Sequence, residues 1–192
     1  MVTAADKKGN TNIITIAWTG TICSDPPMTY VSVKPERYSY HMLKETGEFV
    51  INLTTRKTAF AADYCGVRSG RDVDKWKETG LTPLPASEVS APLIGESPVN
   101  IECRTTQILE LGSHHMFLAE VAAVDVDPAY LDEKGTFHLE EADLIAYAHG
   151  RYRSLGEELG RFGYSVRKDR CTGKKGRNLS KSVQKDSRRN KG

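Results

Sequence analysis

The chain has 192 residues, 39% of them hydrophobic and 27% charged, a composition typical of a globule that encloses one core without disulfides or metals. No apolar run approaches the ~20 residues that cross a bilayer, so a spanning segment is excluded. The four cysteines lie far apart, form no C-x-x-C pair and follow no signal-peptide pattern. We therefore expect a cytoplasmic protein with no disulfide framework and no metal site.

The first half of the chain predicts short strands with short helices between them. β-Branched and aromatic residues indicate strands, and prolines and glycines mark their ends. The predicted elements are, in chain order, a strand at Asn12–Thr19, a strand at Met28–Val33, a helix at Tyr38–Glu45 with Ser39 as its N-cap, a strand at Phe49–Leu53 and a helix at Thr58–Tyr64. Met1–Ala5 is interpreted as the remnant of an earlier strand, truncated at its start.

The second half of the chain predicts a long β-hairpin. Leu81–Pro92 contains three prolines and indicates an extended connection. Alternating polar and apolar residues then mark strands at Val99–Leu111 and His115–Val126, joined around Gly112-Ser113. Glycines interrupt the segments that follow too often to favour long helices. Several strands with only short helices between them favour a mainly β protein with an antiparallel barrel over a doubly wound sheet.

The stretch Tyr64–Trp76, YCGVRSGRDVDKW, is unusually dense in turn formers and anion-binding side chains. Ser69 and Gly70 offer N–H groups and a hydroxyl, and Arg71 and Lys75, four residues apart on a predicted helix, would share one face. A loop that runs into a helix N-terminus is a ready phosphate site. A plain surface helix, capped by acidic residues near its start, is the alternative, and the local sequence leaves both open.

Other catalytic patterns are absent or weak. The chain has no G-x-G-x-x-G after a strand, no P-loop, no H-E-x-x-H and no G-x-S-x-G, so none of the corresponding enzyme classes is indicated. Of His114 and His115, adjacent on a strand, only one can face a given site. Cys65, beside Arg68 and Arg71, is a candidate nucleophile with a lowered pKa, but the role of a small buried hydrophobic residue is favoured.

Residues 168–192 form a basic tail. They hold ten Lys/Arg against two Asp/Glu, a net charge of +8, whereas residues 1–167 carry −6. The tail has almost no large apolar residues to offset its ordering entropy, so we predict a folded domain at residues 1–167 and a disordered tail. RNA, an acidic partner or a membrane surface are alternatives for its charge, but a solvated tail with no specific nucleic acid or membrane partner is favoured.

Six motifs, in order along the chain, carry a resemblance. They are Asn12-x-x-Thr15-x-Ala17-Trp18, Ser24-Asp25-Pro26-Pro27, Pro35-x-Arg37-x-Ser39, Phe49-Val50-Ile51-Asn52-Leu53, Cys65-Gly66-x-x-Ser69-Gly70-Arg71-x-x-Asp74-Lys75, and Leu155-Gly156 to Arg161-Phe162-Gly163-Tyr164. From about Gly9 to Arg167, the chain resembles the flavin reductase family, close to flavoredoxin. The resemblance implies an FMN-binding split β-barrel of Greek-key type with short peripheral helices, assembled as a homodimer with the flavin near the subunit interface.

The resemblance also implies which residues hold the cofactor. The residues that would line the flavin are Thr15, Ala17, Trp18 and Thr19. Those that would hold its phosphate and ribityl chain are Arg37, Ser39, Ser69, Gly70, Arg71 and Lys75, with Asn52 as a weaker candidate. Tyr152 would cover the ring, and His114 would lie near the nicotinamide of NAD(P)H. The chain departs from the family in its short first strand and in Ser113, where many members have Asp.

These features lead to three hypotheses on function. The leading one is an NAD(P)H-dependent flavin reductase-like oxidoreductase that transfers a hydride to bound FMN and passes electrons to a small-molecule or protein acceptor. Two loop-helix junctions would supply the N–H donors and cations that a phosphate dianion needs. The alternatives are a flavoredoxin-like electron carrier that never meets a nicotinamide, and a non-catalytic flavin-binding or basic-tail interaction protein.

Overall fold

The structure, a computed structural model, describes residues 1–167. The chain divides into two compact units, one at Met1–Leu155 and one from Gly156 onward. Within residues 156–167 the second unit forms one short 3-10 helix, Tyr164–Val166. The predicted basic tail lies outside the described residues. Within residues 1–167, no helix is long and apolar enough to cross a membrane.

Antiparallel strands dominate the first unit, as predicted. The strands are β1 (Val2–Ala5), β2 (Thr11–Ile14), β3 (Thr19–Ser24), β4 (Pro27–Val33), β5 (Glu48–Asn52), β6 (Pro83–Leu84), β7 (Leu93–Ile94), β8 (Val99–Leu111), β9 (His114–Val126), β10 (Ile145–Ala148) and β11 (Arg151–Ser154). Seven of them form one sheet in the order β2-β1-β5-β8-β9-β4-β3. Separate two-stranded sheets pair β6 with β7 and β10 with β11. The predicted hairpin of β8 and β9 is confirmed, its second strand beginning one residue earlier.

The sheet closes into a barrel with one seam. β2 and β3 follow each other in the chain but are the two edge strands of the sheet. The five Cα steps from Ile14 to Thr19 span about 17 Å at most, so the sheet must curl until its edges nearly meet. Thr15–Trp18, the seam segment, crosses the gap. The prediction of one strand at Asn12–Thr19 is therefore wrong, because its two ends belong to opposite edges.

The first strand is short but interior to the sheet. β1 pairs with β2 on one side and with β5 on the other. Its four residues are all buried, and its threonine, Thr3, donates a hydrogen bond from Oγ1 to the carbonyl of Pro92 at 2.5 Å. The segment interpreted as a strand remnant is thus an interior strand of the barrel wall, paired along its whole length with β2 and at Val2 and Thr3 with β5.

Three α-helices of the described residues pack against the sheet: α1 (Tyr38–Thr46), α2 (Ala59–Val67) and α3 (Lys75–Thr79). α1 was predicted to within one residue, and Gly47 ends it in the left-handed conformation at φ 71°. The N-cap prediction is wrong, because Arg37 occupies the N-cap position, where its side chain makes no capping hydrogen bond. Ser39 is buried instead, and its hydroxyl accepts a hydrogen bond from Asn12 Nδ2 at 2.7 Å. α2 extends three residues beyond its predicted end at Tyr64.

The main core lies between α1 and the inner face of the sheet. Leu43 from the helix, Phe49 from β5 and Phe117 from β9 are fully buried in one cluster. A second cluster joins Ile13 of β2 to Ala62 and Cys65 of α2. This second cluster fixes α2 beside the seam, and α2 thereby forms one wall of the Tyr152 cleft described below.

Candidate functional site

Two clefts and a pocket meet at the seam segment. The Trp18 cleft, about 340 Å³, lies between Thr15–Trp18, the end of β4, Arg37 and His114. The arginine pocket, about 170 Å³, adjoins it and shares Ile14, Glu36 and Arg37 with it. The Tyr152 cleft, about 290 Å³, lies on the α2 side of the seam segment and shares Thr15–Ala17 with the Trp18 cleft. One short segment is thus a wall of both clefts.

The arginine pocket brings together all six residues predicted to hold a phosphate. Its cations and polar residues are Arg37, Arg68, Arg71, Lys75, Ser39, Ser69 and Gly70, with Asn12, Tyr38 and Glu36 completing the wall. Arg68 was considered in the sequence only as a neighbour of Cys65, although it directly precedes the Ser-Gly-Arg motif. Four cations against one carboxylate give the pocket a strongly positive field.

Arg37 and Arg71 make different contacts with the rest of the protein. The Arg37 guanidinium donates to the carbonyl of Gly66, which ties the start of α1 to the end of α2. Arg71 is exposed, lies 5.8 Å from the ring centroid of Tyr38, and donates to the carbonyl of Glu36 at 3.3 Å. A guanidinium has five N–H donors, so these contacts leave most of them available to an anion.

Lys75 is more deeply buried than its sequence motif indicates. It is only 3% exposed, and its Nζ donates to the carbonyls of Ile13 at 2.6 Å and Cys65 at 2.8 Å. Burial lowers its pKa to about 8, with Cys65 opposing this shift and Arg37 adding to it. The expected shared helix face with Arg71 is wrong, since α3 begins at Lys75 itself. Lys75 therefore joins β2 to α2 and still has one N–H to direct toward the pocket.

Gly70 is required by close packing. A Cβ at this position would lie 2.3 Å from Oδ1 of Asn12 and 2.7 Å from Cδ1 of Tyr38, far inside contact distance. Ser69, just before it, accepts a hydrogen bond at its hydroxyl from the Arg71 N–H at 3.2 Å. The loop before α3 thus lies directly against β2 and α1, and its backbone forms part of the pocket wall.

The Trp18 cleft gathers four of the predicted flavin-site residues. Thr15, Ala17 and Trp18 line it from the seam, and His114 lies across from them. Trp18 is 62% exposed and meets the His114 ring edge-on, at a centroid distance of 6.4 Å. His115 turns the other way, its Nδ1 lying 2.8 Å from the Tyr40 hydroxyl, which confirms that only one of the two histidines faces the site.

Two predicted site residues lie away from these clefts. Asn52 is fully buried, where Oδ1 accepts from the Ile94 N–H at 2.9 Å and Nδ2 donates to Thr3 Oγ1 and the Val50 carbonyl. Its side chain is committed to the core and lines none of these clefts, so the structure gives the predicted cofactor contact no support. Thr19 donates to the Tyr30 carbonyl at 2.7 Å and lines neither cleft nor the arginine pocket, because β3 has already left the seam.

Nucleophilic and metal chemistry find no support in the part of the chain that the structure describes. Cys65 is fully buried, and burial raises the pKa of its thiol even though Lys75 opposes the shift. This agrees with the role of a small buried hydrophobic residue. Between residues 1 and 167, no group of three or more His, Cys, Asp or Glu side chains is placed to hold a metal ion.

Comparison with known proteins identifies the family of this barrel. The family model of the flavin reductase like domain matches residues 1–156. The chain belongs to the flavin reductase-like family. Among solved structures, the split-barrel fold is shared with the flavoredoxin of Desulfovibrio vulgaris (Miyazaki F), at TM-score 0.80 and 33% identity over 86% of this chain and 90% of that one. It is shared also with the flavoredoxin of Methanosarcina acetivorans, at TM-score 0.75 and 28% identity over the same shares of the two chains.

Relatives identified from sequence give less functional information about this flavin reductase-like chain. An uncharacterized protein of Aeropyrum pernix is 33% identical over 125 residues, which are 65% of this chain and 48% of that protein. The chain thus spans about half the length of this relative. An uncharacterized protein of Archaeoglobus fulgidus is 30% identical over 64% of this chain and 70% of its own length.

Proposed function

We propose that this flavin reductase-like protein binds FMN and acts as an oxidoreductase, with NAD(P)H as electron donor and a small molecule or protein as acceptor. The observation that carries the proposal is the arginine pocket, which opens onto a cleft formed by the barrel seam. Arg37 and Lys75 also make contacts that support the fold. Arg68 and Arg71, however, are exposed and line the same pocket, which leaves most of their N–H donors available to an anion. The similarity to flavoredoxins supports a flavin as the ligand.

The donor set fits a flavin phosphate. Guanidinium groups bind phosphate oxygens in pairs, and Ser69 and Ser39 add hydroxyls on either side. Arg37 lines both the arginine pocket and the Trp18 cleft, so it is placed to contact the chain that links the phosphate to the ring. When bound, the flavin supplies the two-electron redox chemistry.

The residues of the Trp18 cleft have binding and orienting roles in this proposal. The seam segment lies outside the strands, and in the described chain only its Trp18 carbonyl accepts a backbone hydrogen bond from the sheet, from the Ser32 N–H. Its other backbone groups and the exposed indole of Trp18 suit a flat ring with one polar edge. His114 is held by a contact between Nδ1 and the Ser113 hydroxyl at 2.9 Å. The histidine is thus oriented in the cleft to position a second, stacked ring.

Anaerobic mixing of the FMN-loaded protein with NADH and NADPH tests the proposal. We expect FMN to bind at about one per chain and one of the nucleotides to bleach it without a partner protein. His114→Ala is expected to slow this reduction far more than it weakens FMN binding. Failure of both nucleotides, with prompt reduction by dithionite, would establish the electron-carrier alternative instead. A protein that does not bind FMN would overturn both.

The binding of FMN is expected to depend on pH through Lys75. Above its pKa of about 8 the lysine loses its charge, while the phosphate remains a dianion. FMN affinity should therefore fall as pH rises from 7 to 9.5, by roughly tenfold per unit at most, and riboflavin affinity should not. Fluorescence titration of both ligands measures this. A flat profile for FMN would exclude a role for Lys75 in holding the phosphate.

Unfolding does not confound this pH test. A lysine with an unfolded pKa near 10.4 and a folded value of about 8 binds more protons in the unfolded chain between those values. The free energy of unfolding that depends on Lys75 therefore rises with pH in this window. Weaker FMN binding at pH 9 would thus reflect the pocket and not a loss of the fold.

A homodimer is also proposed, on the strength of the family resemblance. Phe60 at the start of α2, 72% exposed, gives such a contact an apolar surface. Light scattering on the FMN-loaded protein would measure the mass, and a monomer of about 21.3 kDa at micromolar concentration would contradict the proposal.

A further inference from the structure

We propose that the Tyr152 cleft is a second ligand site that takes planar aromatic molecules which are neutral or cationic, and that it discriminates against aromatic carboxylates. The inference rests on the proposed function, since this cleft shares the wall Thr15–Ala17 with the cleft proposed for the flavin. It goes beyond that function by assigning a separate cleft and by stating the charge of the molecules that the cleft accepts.

The shape and lining of the cleft favour a flat ligand. Tyr147 and Tyr152 stand on neighbouring strands of the β10-β11 hairpin, paired directly across it, with ring centroids 5.2 Å apart. The opposite side is formed by Val67 and Gly66 at the end of α2, and the floor by Ile16 and Ala17 of the seam segment. Aromatic and aliphatic walls around about 290 Å³ suit one ring system with small substituents.

The electrostatics of the cleft differ from those of the arginine pocket. Asp63 carries the sole formal charge among the residues that line the Tyr152 cleft in the described chain, and it is negative. The four cations that line the arginine pocket do not line the Tyr152 cleft. An anionic ring that enters the Tyr152 cleft meets a like charge at close range, whereas an amide or a cation does not.

Tyr152 lines the cleft together with Asp63. Burial and the nearby Asp63 carboxylate raise the pKa of the Tyr152 phenol, so this tyrosine stays protonated and neutral over the physiological range. Asp63 is exposed, and its carboxylate oxygens can accept a hydrogen bond from an N–H or O–H of a ligand. The cleft therefore offers a bound ring a charged acceptor and no cation.

A matched pair of ligands tests the inference without electron transfer. The protein is first loaded with oxidised FMN, and the affinities of 4-nitrobenzamide and 4-nitrobenzoate, which differ little except in charge, are measured by ligand-observed NMR. We expect the amide to bind roughly fivefold more tightly, the effect of one exposed charge. The preference should shrink as salt is raised from 0.01 to 0.5 M, since the Asp63 carboxylate is exposed.

Three variants separate charge from shape. Asp63→Asn should make the two affinities equal, and Glu45→Gln, an exposed carboxylate on α1 outside the clefts, should leave the preference unchanged. Tyr147→Ala should weaken both ligands alike, because it removes an aromatic wall and no charge. Equal affinities in the unaltered protein, or a preference that survives Asp63→Asn, would overturn the inference while FMN binding, measured first, still supports the proposed function.

Discussion

Replacing Arg68 and Arg71 together by Gln is expected to weaken FMN binding by about 2–4 kcal/mol, or roughly 1–2 kcal/mol for each charge-assisted hydrogen bond lost. Both side chains line the arginine pocket and both are exposed, so their loss should leave the fold intact. Lys75 is unsuitable for this test because its removal would leave two buried carbonyls unpaired. Fluorescence titration with FMN measures the effect.

Two comparisons make this test specific. Riboflavin lacks the phosphate, so its affinity should change little in the double arginine variant. Replacing Lys7 and Lys8 by Gln removes the same total charge from an exposed turn remote from the arginine pocket, and FMN affinity should stay within a factor of about two. Equal losses for FMN and riboflavin would mean that the arginines support the loop and not the phosphate.

The largest change in stability is expected at Glu102, a fully buried carboxylate in β8. It accepts four hydrogen bonds from the segment before β7: the Ser87 N–H and hydroxyl, each at 2.8 Å, the Glu88 N–H at 2.6 Å and the Val89 N–H at 3.0 Å. Glu102→Ala would leave all four donors without this acceptor. We expect it to lower the free energy of unfolding by about 3–5 kcal/mol, measured by urea denaturation.

Asp125 supplies the matched control for Glu102. Burial, together with the nearby Glu102 carboxylate, raises the pKa of Asp125 and favours its protonated, neutral form. Asp125→Asn replaces a neutral carboxyl by a neutral amide and should cost less than about 1 kcal/mol. A carboxyl with a raised folded pKa loses its stabilising effect as pH rises through that value, and the Asn variant should lack this dependence. If the Glu102→Ala protein were as stable as the unaltered protein, the hydrogen bonds that Glu102 accepts would not have the stabilising role proposed for them.

Local sequence patterns were sufficient for most elements of the fold. The hairpin of β8 and β9 and the helix α1 came out to within one residue, because alternation and helical spacing are properties of the segment itself. The end of β2 at Ile14 was missed because it depends on contacts outside the segment. Thr15 and Ile16 continue the β-branched pattern, and only the closure of the sheet determines that the chain leaves one edge there and joins the other.

In the candidate site too, the sequence shows the local motifs but not the burial that distant residues impose. Arg37, Ser69 and Arg71 fall in motifs that a sequence displays directly, and they do meet in one pocket. The burial of Lys75 depends on the Ile13 carbonyl, 62 residues earlier in the chain, which no local pattern reveals. The burial of Asn52 is likewise not visible in its motif, because it depends on segments far along the chain, such as the one that ends in Ile94.

The seam segment has a consequence for how the two clefts respond to ligands. Thr15–Ala17 is a common partition between the Trp18 cleft and the Tyr152 cleft, and it is tethered on one side by the Thr15 hydroxyl, which donates to the Ala62 carbonyl at 2.5 Å. Because one segment borders both clefts, a ligand that displaces this segment from one side is expected to change the shape of the other cleft.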